Sequence, residues 1–282
     1  MKKVLLVCAI ILGLASSASA KETLSVAFVF DKKTLNLTLD QRKDLSDEYM
    51  KKLAETFENS GLSSTIGFTK VAVAYRYISK SGENFSSLRK RYVDNESDLK
   101  YRYGKPVPSQ TLQYYQRYYK ADIVIGVVNF PSENTSGIAF STPSKRHTVE
   151  KSNTDVLAYG DYGICFLNYK YRNQKEQPAH EIGHGFGLSH GKKVGHTLGS
   201  NAIEKYANGF GSTDYGRNYG TVMAGRYLTY IEKGVENRFS NPFSSKCGYY
   251  ADDEVCGNST ANGVKLFKKN AKIYNKRGDW YK

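Results

Sequence analysis

Acidic residues are in short supply in this chain: 27 Asp and Glu stand against 41 Lys and Arg, for a formal net charge of +14. Methionine (3), cysteine (4), proline (6) and tryptophan (1) are scarce as well. No glycine recurs at every third position, which excludes a collagen-like fibre. Apolar content is ordinary, with 40% hydrophobic and 13% aromatic residues, so the charge excess does not mark a disordered chain. Beyond residue 20 no apolar run approaches the roughly eighteen residues that cross a bilayer, and stable membrane insertion is not expected. Internal repeats and low-complexity linkers are also missing. The positive excess favours contact with an acidic surface or an acidic substrate. Runs such as Arg89-Lys90-Arg91-Tyr92 and Lys100-Tyr101-Arg102-Tyr103 mix basic and aromatic residues, but no nucleic-acid-binding module frames them, and no nucleic-acid partner is expected.

What is present begins with an address. Lys2 and Lys3 precede an apolar run from Val4 to Leu14, and Ala18-Ser19-Ala20 forms a small-residue cleavage site. Residues 1–20 therefore read as a Sec-type signal peptide, and the protein is expected to be exported, either periplasmic or secreted. Cys8 lies inside the apolar run, which argues against a lipid anchor. Residues 21–282 are expected to form a single domain. Its first strand starts within a few residues of the cleavage site, leaving no room for a pro-domain. Cys247 and Cys256 bracket the turn-rich segment CGYYADDEVC and are expected to pair as a disulfide in an exported chain. Cys165, in an apolar run, reads as a buried and inert thiol.

Strands are expected over 24–30, 66–78, 121–130, 137–141 and 155–168, from β-branched and aromatic runs, with 137–141 at an edge. Thr38-Leu39-Asp40-Gln41 supplies a capping box, and Leu45, Tyr49, Leu53 and Phe57 recur every four residues behind it, predicting a long amphipathic helix. Shorter helices are expected over 109–120 and 259–277, the latter with Val264, Phe267, Ala271 and Tyr274 on one face. The polar stretch 79–105 reads as a loop. This order predicts an α/β (α+β) fold with a mixed, twisted sheet.

The chemistry is concentrated in His180-Glu181-Ile182-Gly183-His184-Gly185-Phe186-Gly187-Leu188-Ser189-His190, which holds three of the chain's five histidines. Helical residues four apart differ by about 40° in azimuth and about 6 Å in height, so His180 and His184 can converge on one metal ion. A helix cannot supply the third ligand from one face. Gly187 allows a sharp turn that returns His190 to the same point. Three neutral nitrogens with one open corner are the ligand set of a catalytic Zn2+, here one ion. Glu181 points to a different azimuth and is placed to act as general base toward an attacking water. The overlapping Gly187-Leu188-Ser189-His190-Gly191 also spells a serine-hydrolase elbow, but that elbow needs a strand before the serine, whereas a helix precedes it here.

This segment resembles the zinc signature of the metzincin metallopeptidases, and Gly220-Thr221-Val222-Met223-Ala224 is similar to the methionine turn that floors the metal in that clan. Residues 206–223, 238–242 and the C-terminal helix are similar to bacterial reprolysin-like enzymes, including the peptidyl-Asp metalloendopeptidase group. The resemblance implies a metzincin-like zincin domain with an active-site helix, a Met-turn and a C-terminal helix. It also implies a zinc-dependent endopeptidase acting on a protein or peptide, with Met223 supporting the site. An extended substrate would pair with the edge strand 137–141. Several metzincin families place a tyrosine two residues after the turn methionine; here that position is Gly225, and Tyr227 is the nearest tyrosine to serve at the oxyanion or in the pocket. Arg226 in that pocket would favour acidic side chains. The alternative is an exported basic binding protein with a non-catalytic zinc site.

Overall fold

Apolar residues in β1 (Glu22–Asp31) alternate, so that Leu24, Val26, Phe28 and Phe30 enter one buried cluster and Ala27 and Val29 another. A strand buried on both faces has to lie inside a sheet. The computed structural model describes residues 20–93, 112–139, 163–191, 203–204, 206–212, 219–224, 235–244, 247 and 255–277. It places β1 between β2 (Ile66–Arg76) and β3 (Ile123–Val128), both parallel to it. Next to β3 runs β5 (Ile164–Asn168), again parallel, and β4 (Gly137–Ala139) closes the edge antiparallel to β5. The sheet is thus mixed and five-stranded, in the order β2-β1-β3-β5-β4. Residues 140–162, which held parts of two expected strands, lie outside the described residues, as does the expected signal segment up to residue 19.

Helices cover both faces. On one lie α1 (Leu39–Asn59), α4 (Gln177–Gly185) and α5 (Gly263–Tyr274); on the other lie α2 (Phe85–Val93) and α3 (Leu112–Tyr119). Both halves of the α1 capping box are made: Gln41 N donates to Thr38 Oγ1 at 3.2 Å and Thr38 N to Gln41 Oε1 at 2.8 Å. Leu45, Tyr49, Leu53 and Phe57 are buried, and the two leucines and Phe57 each contribute roughly 1.5–3 kcal/mol as an upper bound. Phe57 joins the layers that matter for the site, with ring centroids 5.0 Å from Phe267, 5.2 Å from Phe239 and 6.2 Å from Phe186.

One expectation is corrected. The stretch 79–105 was expected to be a loop, yet it contains α2. Asn84 caps this helix, its Oδ1 accepting from Ser87 N at 2.9 Å, while Phe85 and Leu88 fill the second face of the sheet. An apolar stripe of two residues among arginines and serines is too short to show as a period. The small sheet of β6 (Gly211–Ser212), β7 (Tyr219–Thr221) and β8 (Val235–Glu236) was not foreseen either, because strands of two or three residues leave no alternation to read. Among the described residues no helix is long and apolar enough to cross a membrane.

Candidate metal centre

Pro178 stands in the first turn of α4, where a missing N–H costs nothing. The Gln177 side chain pins that end by donating to the carbonyls of Ser136, just before β4, and Asn168, at the end of β5. Ala179 and Ile182 are buried in the core, which turns His180 and His184 to the half-buried opposite side. At the far end, Leu188 N donates to Gly183 O at 3.0 Å and Gly187 N to His184 O at 2.9 Å. Those two bonds form a Schellman cap, whose closing residue must be left-handed; Gly187 has φ 94°.

The chain then comes back under the helix. Ser189 is bonded on both sides, N to Ala207 O at 2.9 Å and O to Gly209 N at 3.0 Å, and Gly191 N donates to Met223 O at 2.7 Å. His190 is held between these anchors. Its Nε2 lies 3.0 Å from His184 Nε2 and 3.2 Å from His180 Nε2. Among the described residues this trio is a group able to hold a metal ion.

The tautomers follow from the partners. His180 Nδ1 is 2.7 Å from Val222 O and His184 Nδ1 is 3.0 Å from Leu188 O. A carbonyl only accepts, so each Nδ1 carries the proton and each Nε2 presents a lone pair. Burial pushes the His180 pKa down, against the raising effect of the Val222 carbonyl, and favours the neutral ring. Both of these lone pairs lie within 3.0–3.2 Å of His190 Nε2, where a cation would be attracted by all three nitrogens. Nitrogens about 2.0–2.1 Å from a tetrahedral zinc would stand about 3.3 Å apart, close to the spacing found here, so the donor set fits the ion.

Glu181, next in sequence to His180, is 3% exposed. Burial pushes its pKa up to about 8. Behind it lies Cys165, also buried, whose thiol is pushed well up by burial and secondarily by Glu181. Across it lies the edge strand: a Cβ on Gly137 would meet Glu181 Cγ at 2.7 Å and Cδ at 2.9 Å. Met223 is 1% exposed and its Sδ packs on α4, 2.6 Å from where a Cβ on Gly183 would stand. A separate cavity of about 380 Å³, between Glu58, Asn59 and Phe243, includes none of the histidines.

The structure thus brings His180, His184, His190, Glu181, Gly187 and Met223 into one place, and joins Cys247 to Cys256 in a disulfide with Cα atoms 5.2 Å apart. Arg226 and Tyr227 lie outside the described residues. Sequence reasoning missed the Val222 carbonyl, which has no side-chain signature, and Gly137, whose importance depends on a neighbour 44 residues away.

No protein-family model and no curated protein matches the chain. One of 112 matching chains among solved structures, described as "Structure of a chaperone-substrate complex", is 17% identical and aligns with 93% of this chain at a TM-score of 0.59. This chain spans only 35% of that one. At this identity the likeness shows a shared fold and nothing about activity.

Proposed function

We propose that the protein is an exported zinc-dependent endopeptidase that hydrolyses peptide bonds. One observation carries the reading: three imidazole Nε2 atoms gather within 4.8 Å of one another on a helix and its return turn, with Glu181 buried beside the first of them. A zinc ion held there would polarise a peptide carbonyl and lower the pKa of water from 15.7 toward about 7. Glu181 then takes the proton of the attacking water and returns it to the amine that leaves as the C–N bond breaks. Burial raises the proton affinity of this carboxyl group, which suits it to take a proton and pass it on. The outer edge of β4 is unpaired among the described strands and lies against Glu181 through Gly137, so a peptide extended along it would run past the carboxylate. Export is supported by the leader sequence and by the disulfide.

The test uses the zinc-loaded mature chain and a diverse peptide library read by mass spectrometry. Cleavage should stop with a chelator, and Glu181→Gln should retain zinc while turnover falls roughly 10²–10⁴-fold. Undiminished cleavage by that variant removes the proton role, and an inert wild type favours a binding protein instead. A cleavage profile unchanged in Arg226→Ala would remove Arg226 from specificity.

A further inference from the structure

The last turn of a helix leaves carbonyls that its own N–H groups cannot reach. At the end of α4 each can be followed to its partner. Ile182 O accepts from Phe186 N at 2.9 Å, Gly183 O from Leu188 N at 3.0 Å and His184 O from Gly187 N at 2.9 Å. The Schellman cap supplies nothing for Gly185 and Phe186. Their carbonyls are taken by residues from the other end of the domain: Arg277 Nη2 donates to Gly185 O at 2.5 Å, and Tyr274 Oη to Phe186 O at 3.0 Å.

Both donors are set rigidly. Tyr274 is fully buried at the end of α5, its ring 4.4 Å from that of Phe186. Arg277 is 1% exposed, and its guanidinium lies over the rings of Phe186 at 5.3 Å and Tyr274 at 5.1 Å. A buried guanidinium is costly unless something compensates it. Here the negative end of the α4 dipole and two aromatic faces do so.

We infer that Arg277 and Tyr274 are positioning residues for the metal site: by holding Gly185 O and Phe186 O they fix the angle at which the chain leaves α4, and with it the distance from His184 to His190. The two carbonyls follow His184 directly and precede the left-handed Gly187, so a tilt of this peptide pair is carried into the return segment. Movement of His190 by about 1 Å would spoil a ligand set whose nitrogens are now 3.0 and 3.2 Å apart.

The inference rests on the metal-binding part of the proposed function, so the experiment reads metal affinity apart from catalysis. Zinc affinity of wild type, Tyr274→Phe, Arg277→Met and Arg277→Lys is measured by competition with a chelator, beside the melting temperature of each metal-free protein and peptide hydrolysis at saturating zinc. Tyr274→Phe keeps the packed ring and loses only the donor, so it should fold. The expected result is a roughly tenfold loss of zinc affinity in Tyr274→Phe and Arg277→Met, partly restored in Arg277→Lys, which keeps a charged donor. Variants that melt lower yet bind zinc as tightly as wild type would show a purely structural role and overturn the inference. Wild type that binds zinc but cleaves nothing would end the peptidase reading and leave this one standing, whereas wild type that binds no zinc would end both.

Discussion

Gly183→Ala sets two effects of known size against each other. Alanine in a helix interior is ordinarily about 1 kcal/mol better than glycine. At this position the new methyl would stand 2.6 Å from Met223 Sδ and 3.2 Å from Phe239 Cε1, where unstrained contact needs about 3.5–4.0 Å. The thioether would have to withdraw by about 1 Å. It has little freedom to do so, because Met223 is 1% exposed and its carbonyl is bonded to Gly191 N at 2.7 Å. Overpacking of a filled core costs about 1–3 kcal/mol, which matches or exceeds the helix gain. The expected net is a loss of about 0–2 kcal/mol. Zinc binding should suffer more, by roughly tenfold, because Val222 precedes Met223 and its carbonyl fixes His180 at 2.7 Å. Thermal melts of metal-free protein and chelator competition would measure the two quantities. Met223→Ala, combined with Gly183→Ala, should relieve the clash and give a coupling energy of about 1 kcal/mol or more. The reasoning is refuted if Gly183→Ala melts above wild type and binds zinc equally well, since the sulfur would then not be wedged against the helix.

Gly137→Ala should leave zinc bound but lower peptide turnover by at least about tenfold, because the added Cβ would stand 2.5 Å from Phe166 O and 2.7 and 2.9 Å from Glu181 Cγ and Cδ, so that the edge strand and the carboxyl group must shift against each other; unchanged kcat/KM with intact metal would contradict this. For metal-free protein, Glu181 has a native pKa of about 8 against an ordinary 4.5, so the native state holds a proton that the unfolded chain has lost between these values. Its contribution to stability therefore declines as pH rises from about 4.5 to about 8 and is flat above. Chelated wild type should lose stability relative to Glu181→Gln across that window, and parallel stability curves for the two proteins would refute the shift. Replacing Cys247 and Cys256 by serine opens a short loop closed at a sequence separation of 9, and should cost roughly 2–3 kcal/mol in denaturant melts without changing zinc affinity.

Much of this molecule is legible in one dimension. The capping box at Thr38 and the four-residue period behind it are local patterns with local causes, and α1 follows from them. β1 and β3 are legible as apolar runs because a strand buried on both faces has no polar side to interrupt it. The histidine spacing and the glycine at 187 announce the convergence of the three imidazoles, since helix geometry and left-handed backbone are properties of the chain within a few residues. α2 was hidden because its burial depends on a sheet face supplied by Val124, Val128, Phe166 and others far along the chain.

The sequence by itself therefore determined several of the main elements, the three histidines that converge, the acidic residue beside them and the cysteine pair. Only the tertiary structure decided what holds them: the Val222 carbonyl on His180, Met223 against Gly183, Gly137 against Glu181, and Tyr274 with Arg277 on the end of α4. The physical reason is range. Side-chain identity and spacing carry short-range geometry, whereas backbone carbonyls are chemically alike at every position. Which one meets a given donor is settled only when distant segments pack.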